Sequence, residues 1–201
     1  MLGLPKSSEI KQPLPKAQIY KKFELKQSQR DAFDRDIARL DIVHQISPQT
    51  IPAIAEGAEV KAIFVVNVEV KHSDYDTKNI LLISKLIPQR IVFVLCYGGK
   101  AQLAVFHTKL FTTSWQSLDT VNLTLEGLNL DIVWQNIVSS IGVFEIAEDN
   151  SLTEQIKADE ERSKILRQIE NLERQMRSTS QTRRQREIYA EIKKLKSQLN
   201  G

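Results

Sequence analysis

Two short sets of apolar residues near the C-terminus mirror each other in sequence. Each set repeats at spacings of four, three and four residues, which places its members along one stripe of an α-helix. The mirror relation about Thr182 is what two antiparallel helices require. We therefore predict a C-terminal helical hairpin arm, a short antiparallel coiled coil with its turn at residues 178–184. The two sets are Ile165, Ile169, Leu172 and Met176, and Ile188, Ile192, Leu195 and Leu199.

The apolar pattern of the central region alternates between the periods of strands and helices. The strongest strand signal is at 60–71, where a run of apolar residues is followed by alternating polar and apolar residues. The strongest turn signal is Gly98-Gly99, because paired glycines suit the positive φ angles of a tight hairpin. Together these elements predict an α+β fold with a mainly antiparallel sheet flanked by helices. The predicted strands are 40–46, 60–71, 91–97, 101–107 and 120–125, and the predicted helices are 28–39, 77–87 after the cap Asp76, and 132–141.

The N-terminal residues are rich in proline and in basic side chains. Leu4-Pro5-Lys6 and Leu14-Pro15-Lys16 disfavour regular structure before Pro15, and Pro15 suits the start of a short helix. We therefore predict an extended N-terminal arm. The predicted divisions of the chain are 1–27 for the basic arm and short helix, 28–146 for the α+β core, and 147–201 for a linker and the helical hairpin arm.

The net charge of the chain is +3, and its charged residues are distributed unevenly along the sequence. Residues 1–30 carry seven Lys or Arg against two acids, residues 31–150 carry nine against fifteen, and residues 151–201 carry twelve against eight. Basic ends beside an acidic middle favour a polyanionic partner, or docking of the ends on an acidic protein surface. Solvated charged faces are the simpler alternative.

Five arginines fall within thirteen residues around the predicted turn of the hairpin. Guanidinium forks match phosphate geometry, so the cluster is a candidate for contacting a DNA backbone without reading its sequence. Tyr189 is the only aromatic residue nearby, and base stacking is therefore not indicated. The alternatives are an acidic groove on a partner protein and a tip that is merely soluble. The candidate nucleic-acid-binding residues are Arg174, Arg177, Arg183, Arg184 and Arg186.

Several classes of site are absent from the sequence. The single cysteine, Cys96, excludes a disulfide framework. The sequence has no apolar stretch long enough to span a membrane, and residues 1–10 have no apolar core of the kind found in signal peptides. We therefore expect a cytoplasmic protein. No glycine-rich phosphate loop, paired Cys-x-x-Cys, His-Glu-x-x-His or Gly-x-Ser-x-Gly is present. His44, His72 and His107 are far apart, so we expect no metal and no cofactor from them.

One short motif offers an alternative of a different class. Glu69 and Lys71 fall on one face at the end of the predicted strand 60–71. Nucleases of the restriction-endonuclease-like fold use such a pair, with a second acid helping to hold Mg²⁺ while the lysine steadies the attacking water. Asp41, Glu56 or Glu59 could supply the second acid. An electrostatic pair on an exposed strand face explains Glu69 and Lys71 equally simply.

A combination of short segments extends over nearly the whole chain. These segments are Leu4 to Ser7, Phe64 to Lys71, Tyr75-Asp76, Ser84 to Ile87, Leu103 to Phe111, Trp115, Leu128 to Leu130, and Trp134. In this combination the chain resembles a bacterial family known only as a domain of unknown function. The resemblance implies a charged helical arm, and genes beside DNA helicases and methyltransferases in restriction-modification or phage-defence clusters. It implies no catalytic residue.

The sequence therefore favours a non-catalytic accessory module of a bacterial DNA-processing or phage-defence assembly. Its expected partner is a large helicase or methyltransferase subunit, with the basic arm contacting the DNA backbone or a partner protein. The first alternative is a divalent-metal-dependent nuclease that uses Glu69 and Lys71, with Asp41 as the second acid. A toxin-like effector is the third hypothesis.

Overall fold

A computed structural model describes residues 2–144, 151–179 and 181–199 of the chain. The chain divides into two compact units, Met1–Glu145 and Ile146–Gly201. The first unit is an α+β core and the second is a pair of helices.

The core is built on one mainly antiparallel sheet of seven strands. The strand order is β1-β2-β3-β4-β5-β6, and β7 pairs with β5. Only the pairing of β3 with β4 is parallel, and the predicted α+β class is confirmed. The strands are β1 Glu9–Pro13, β2 Ile37–Ile46, β3 Ile63–Val70, β4 Arg90–Tyr97, β5 Lys100–Phe106, β6 Leu110–Thr112 and β7 Gln116–Ser117.

Four α-helices accompany the sheet within the described part of the core. Residues of α1, α2 and α3 join those of β2 to β5 in one apolar cluster, whereas α4 packs on β5 and β6. Two 3-10 turns, Lys6–Ser8 and Leu118–Thr120, complete the unit. The helices are α1 Lys16–Lys22, α2 Gln27–Asp36, α3 Thr77–Ser84 and α4 Leu130–Gly142.

The parallel pair requires a crossover, and α3 provides it between β3 and β4. Asp76 caps α3 as predicted, because its side chain accepts a hydrogen bond from the N–H of Lys78 at 2.9 Å. Asp36, at the end of α2, is 2% exposed and its Oδ2 accepts from the Asp76 N–H and from Asn79 Nδ2, both at 2.8 Å. This buried carboxylate ties α2 to the start of the crossover.

Two sequence predictions about the core are wrong. Residues before Pro15 are not without regular structure, because Glu9–Pro13 forms β1 at the edge of the sheet. Pro13 is tolerated because it ends an edge strand, where a missing N–H costs least. No strand covers 120–125 either: a 3-10 turn ends at Thr120, and Asn122 forms a single bridge with Leu2.

The second unit is the predicted helical hairpin arm. Its helices are α5 Leu152–Ser178 and α6 Thr182–Leu199, joined within the predicted turn. Ile169, Ile188 and Ile192 are buried, and the other five residues of the two mirrored sets pack against them. A capping box starts α5, with Ser151 Oγ accepting from the Glu154 N–H at 3.3 Å and Glu154 Oε2 accepting from the Ser151 N–H at 3.0 Å. The hairpin prediction is confirmed.

Candidate functional site

The five candidate arginines lie where the hairpin turns. Arg174 and Arg177 are in the last two turns of α5, and Arg183, Arg184 and Arg186 are in the first turns of α6. All five are exposed, and none belongs to the apolar seam between the helices. The turn therefore brings together on one end of the arm the arginines that the sequence separates into two groups.

Three of the arginines form ion pairs with glutamates of their own helix. Arg174 pairs with Glu170 at 3.4 Å, and Glu187 receives Arg183 at 3.4 Å and Arg184 at 3.3 Å. The side chain of Arg183 is 95% exposed and that of Glu187 is 50% exposed. Such exposed pairs are worth less than about 1 kcal/mol each, so a phosphate can replace the glutamate as the arginine's partner.

Arg177 and Arg186 form no ion pair with any residue in the described ranges. Arg177 Nε donates to the carbonyl oxygen of Glu173 at 3.4 Å, an interaction that leaves the other guanidinium nitrogens available. Five guanidinium groups against three glutamates give this end of the arm a surplus of positive charge. Its chemistry suits an anionic partner that is held by charge and by forked hydrogen bonds.

The residues of the alternative site lie on neighbouring strands of the core. Glu69 of β3 stands opposite Arg39 of β2, and Asp41 of β2 stands opposite Asn67 of β3. The carboxylate of Asp41 forms an ion pair with Arg39, whose Nε and Nη2 donate to the two carboxylate oxygens at 2.6 and 2.9 Å. Asp41 is therefore engaged as the acceptor of a bidentate ion pair.

Glu69 and Lys71 both line an open cleft of about 550 Å³ at the end of β3. Lys71 Nζ donates to the carbonyl oxygen of Asp34 at 2.6 Å, which fixes the ammonium group at the end of α2. Within residues 2–144, 151–179 and 181–199, no three His, Cys, Asp or Glu side chains are grouped as a metal site. The structure thus places the two residues in one cleft and ties the lysine to the backbone.

Cys96 lies beside Glu69 in the same cleft. Its thiol donates to Asn67 Oδ1 at 3.1 Å, and burial, together with the negative charge of Glu69, raises its pKa. A thiol whose pKa is raised is a poor nucleophile. These contacts support a structural role for Cys96 rather than a nucleophilic one.

The three histidines are in three separate environments. His44 Nδ1 lies 3.0 Å from Ser8 Oγ, His72 Nε2 lies 3.2 Å from Asp36 Oδ1, and the indole N–H of Trp134 donates to His107 Nδ1 at 3.2 Å. Burial lowers the pKa of His107, and the nearby Arg90 lowers it further. The histidines do not converge on one site.

A sequence-family model matches nearly the whole chain. The sequence model of DUF4391, described as a domain of unknown function, matches residues 2–199. The chain belongs to the DUF4391 family. No curated protein and no solved structure matches the chain. The prediction of a domain-of-unknown-function family is thereby confirmed, and the match covers both the α+β core and the helical arm of this DUF4391 protein.

The helices also bear on the question of a membrane. Among the described residues, no helix has the length and apolar character needed to cross a bilayer. The longest helix, α5, carries charged residues throughout its 27 residues.

The sequence did not point to a cavity beside β1, which includes His44 and Asn67 among its walls. His44 and Asn67 lie on different strands, β2 and β3, and neither belongs to a recognisable sequence motif. The cavity forms only because the N-terminal segment returns to the sheet beside β2.

Proposed function

We propose that this DUF4391 protein is a non-catalytic interaction module of a bacterial DNA-processing or phage-defence assembly. The end of the helical arm that carries Arg174, Arg177, Arg183, Arg184 and Arg186 contacts the DNA backbone. The α+β core docks on a large helicase or methyltransferase subunit. The observation that carries the proposal is the exposure of all five guanidinium groups at one turn.

The arm is suited to presenting charge because its apolar seam contains none of the five arginines. Eight apolar side chains form the seam, and an inter-helical ion pair between Lys196 Nζ and Glu173 Oε1 at 3.1 Å flanks it. The arginines lie outside the seam, so they are available for binding without unfolding the hairpin. Two antiparallel helices hold both arginine groups at one turn, which limits the conformational entropy lost on binding.

Contact with phosphates rather than with bases follows from the residue types. The turn offers guanidinium forks but no cluster of aromatic rings, and Tyr189, 63% exposed, is the single ring on this part of α6. Binding of this kind is weak, indifferent to sequence and steeply dependent on salt. Sequence-indifferent binding suits an accessory subunit, because in the proposed assembly the partner subunit supplies the specificity for a DNA sequence.

The contacts around Glu69 give less support to the nuclease alternative. Asp41 is engaged by Arg39, and the ammonium group of Lys71 is bound to a backbone carbonyl. A nuclease built on these residues would first have to break both interactions. The metal-dependent alternative therefore stays a prediction to be tested rather than the preferred function.

The salt dependence of DNA binding tests the proposal. Replacing Arg177, Arg183, Arg184 and Arg186 with Gln removes four phosphate contacts, and the slope of log K against log salt should fall by about three to four for a duplex. Fluorescence anisotropy of a labelled duplex at several salt concentrations measures that slope.

A matched control removes the same charge elsewhere. It replaces four exposed lysines on the surface of the α+β unit with Gln. Both variants therefore lose four positive charges and have the same net charge. The control should keep the slope of the unmodified protein. An equal fall in both variants, or no binding by the unmodified protein at low salt, would refute DNA contact by the arm. The control changes are Lys21→Gln, Lys78→Gln, Lys85→Gln and Lys100→Gln.

A further inference from the structure

An apolar cavity of about 190 Å³ lies between the N-terminal segment and three strands of the sheet. Leu2 and Ile10 form one side, and Val43 of β2 and Val94 of β4 form the other. A cavity of about 150 Å³ is large enough to hold a benzene ring. This cavity can therefore accept one six-membered ring.

His44 is the buried polar group of the cavity wall, and its protonation state follows from its neighbours. The residue is 4% exposed, and its Nδ1 lies 3.0 Å from Ser8 Oγ. The hydroxyl of Ser8 donates its one proton to the carbonyl oxygen of Pro5 at 2.7 Å. Nδ1 must therefore carry the proton and donate to Ser8, which leaves a lone pair on Nε2.

The lone pair of His44 Nε2 has no donor within the described ranges. No fully buried side-chain nitrogen or oxygen there lacks a hydrogen-bond partner, so Nε2 is not sealed inside protein. The ring of His44 lines the cavity, which is where Nε2 can be reached. Burial lowers the pKa of His44, and the neutral ring keeps Nε2 an acceptor.

We propose that the cavity binds a small neutral ring molecule that donates one hydrogen bond, from a hydroxyl or an N–H group, to Nε2 of His44. The inference concerns the core alone and does not depend on the role proposed for the arm.

Three features of the cavity define this ligand class. The apolar walls favour a hydrocarbon ring, and the volume limits it to one ring with few substituents. The acceptor on His44 requires a donor, because a ligand without one leaves the buried lone pair unsatisfied. Glu9 and Lys11 also border the cavity, but both are exposed, so a charged ligand against the apolar wall would lose its hydration without a buried partner of opposite charge. Asn67, whose Oδ1 is occupied by the Cys96 thiol, adds an amide to the wall.

Phenol and toluene form a matched pair of probes, since they differ in a hydroxyl against a methyl group of similar size. Protein labelled with ¹⁵N at histidine is titrated with each compound, and the Nε2 resonance of His44 is followed. We expect phenol to bind saturably and about 2- to 12-fold more tightly than toluene, which is the range of one net hydrogen bond. Phenol, and not toluene, should shift Nε2.

Two variants and a control separate recognition from simple filling of space. His44→Asn retains an amide that reaches Ser8 but removes the acceptor at Nε2, so phenol should bind no more tightly than toluene. Val43→Phe fills the cavity and should abolish binding of both compounds. Gln12→Ala, at an exposed position of β1 that does not line the cavity, should bind as the unmodified protein does.

Two results would overturn the proposal. One is the absence of any saturable shift of His44 up to the solubility of phenol. The other is equal affinity for phenol and toluene that His44→Asn leaves unchanged, which would show an apolar void without recognition. Thermal melts of each variant confirm that the protein tested is folded.

Discussion

The carboxylate of Asp131 should be one of the larger single contributors to the stability of the core. Asp131 lies in the first turn of α4, and it accepts hydrogen bonds from three successive backbone N–H groups of the loop before β3. The donors are Ala58 at 2.6 Å, Glu59 at 3.2 Å and Val60 at 2.8 Å. One side chain thus anchors to α4 a loop that is more than seventy residues away in sequence.

The magnitude follows from the number of hydrogen bonds. A hydrogen bond to a charged group contributes about 1.5–3 kcal/mol, and a carboxylate at a helix N-terminus adds about 0.3–1 kcal/mol. Because Asp131 is partly exposed, water replaces part of what is lost, and the sum must be reduced. We expect Asp131→Ala to lower the free energy of unfolding by about 2–4 kcal/mol, and Asp131→Asn by about 1–2 kcal/mol.

The pH dependence supplies a second readout. Burial raises the pKa of Asp131, but the three backbone donors lower it by more, so the net shift is downward. A carboxyl group whose pKa is lower in the folded state stabilises above its unfolded pKa of about 3.9, and that stabilisation is lost as the pH falls through the folded value. The stability difference between the unmodified protein and Asp131→Asn should therefore be full at pH 7 and shrink below about pH 4.

Urea unfolding of both proteins over this pH range tests the reasoning. Asp119→Asn is the matched control, since Asp119 is an exposed carboxylate in a 3-10 turn of the same unit. Gly57→Ala should also destabilise the loop, because a Cβ there would stand 2.4 Å from Asp131 Oδ1 and 2.8 Å from the Asp131 backbone nitrogen. If Asp131→Asn costs no more than the control, or its cost does not change with pH, the assigned role is wrong.

Three further predictions concern the crossover, the arm and the alternative site. Asp36→Ala should lower the free energy of unfolding, measured by urea titration, by about 3 kcal/mol or more, because it leaves the buried donors around Asp36 without an acceptor. Asp74→Ala, at an exposed position, should change the free energy of unfolding little in the same titration. Ile192→Asp should reduce helical circular dichroism without removing the main melting transition, and deletion of residues 151–201 should keep that transition; its loss would show that the core does not fold alone. Mg²⁺ should neither raise the melting temperature nor support DNA cleavage, and a metal-dependent cut that Glu69→Gln abolishes would establish the nuclease instead.

The elements that the sequence predicted well are those whose signal is local. The two mirrored apolar sets of the arm predicted its turn and its seam, because a helical stripe needs only side chains three and four residues apart. Gly98-Gly99 predicted the β4–β5 hairpin, since both glycines have positive φ. Asp76 predicted the start of α3 through an interaction within one turn of helix.

The elements that the sequence did not predict depend on distant partners. β1 is short, exposed and ends in proline, and it is a strand only because β2 pairs with it. Apolar residues after Thr120 alternate as in a strand, yet the segment forms only one bridge, with the segment at Leu2. A strand acquires its hydrogen bonds from a neighbour, so its own pattern cannot decide whether that neighbour is there.

The candidate sites divide in the same way. Arginines clustered in sequence around a helical turn must be close in space, so composition and periodicity alone located the end of the arm. Asp131 and His44 have no motif, because their partners are backbone N–H groups in one case and Ser8 in the other. Charge density along the chain is a property of the sequence, whereas a nest of donors or a cavity beside a histidine exists only once separate segments are packed together, and the tertiary structure alone decides it.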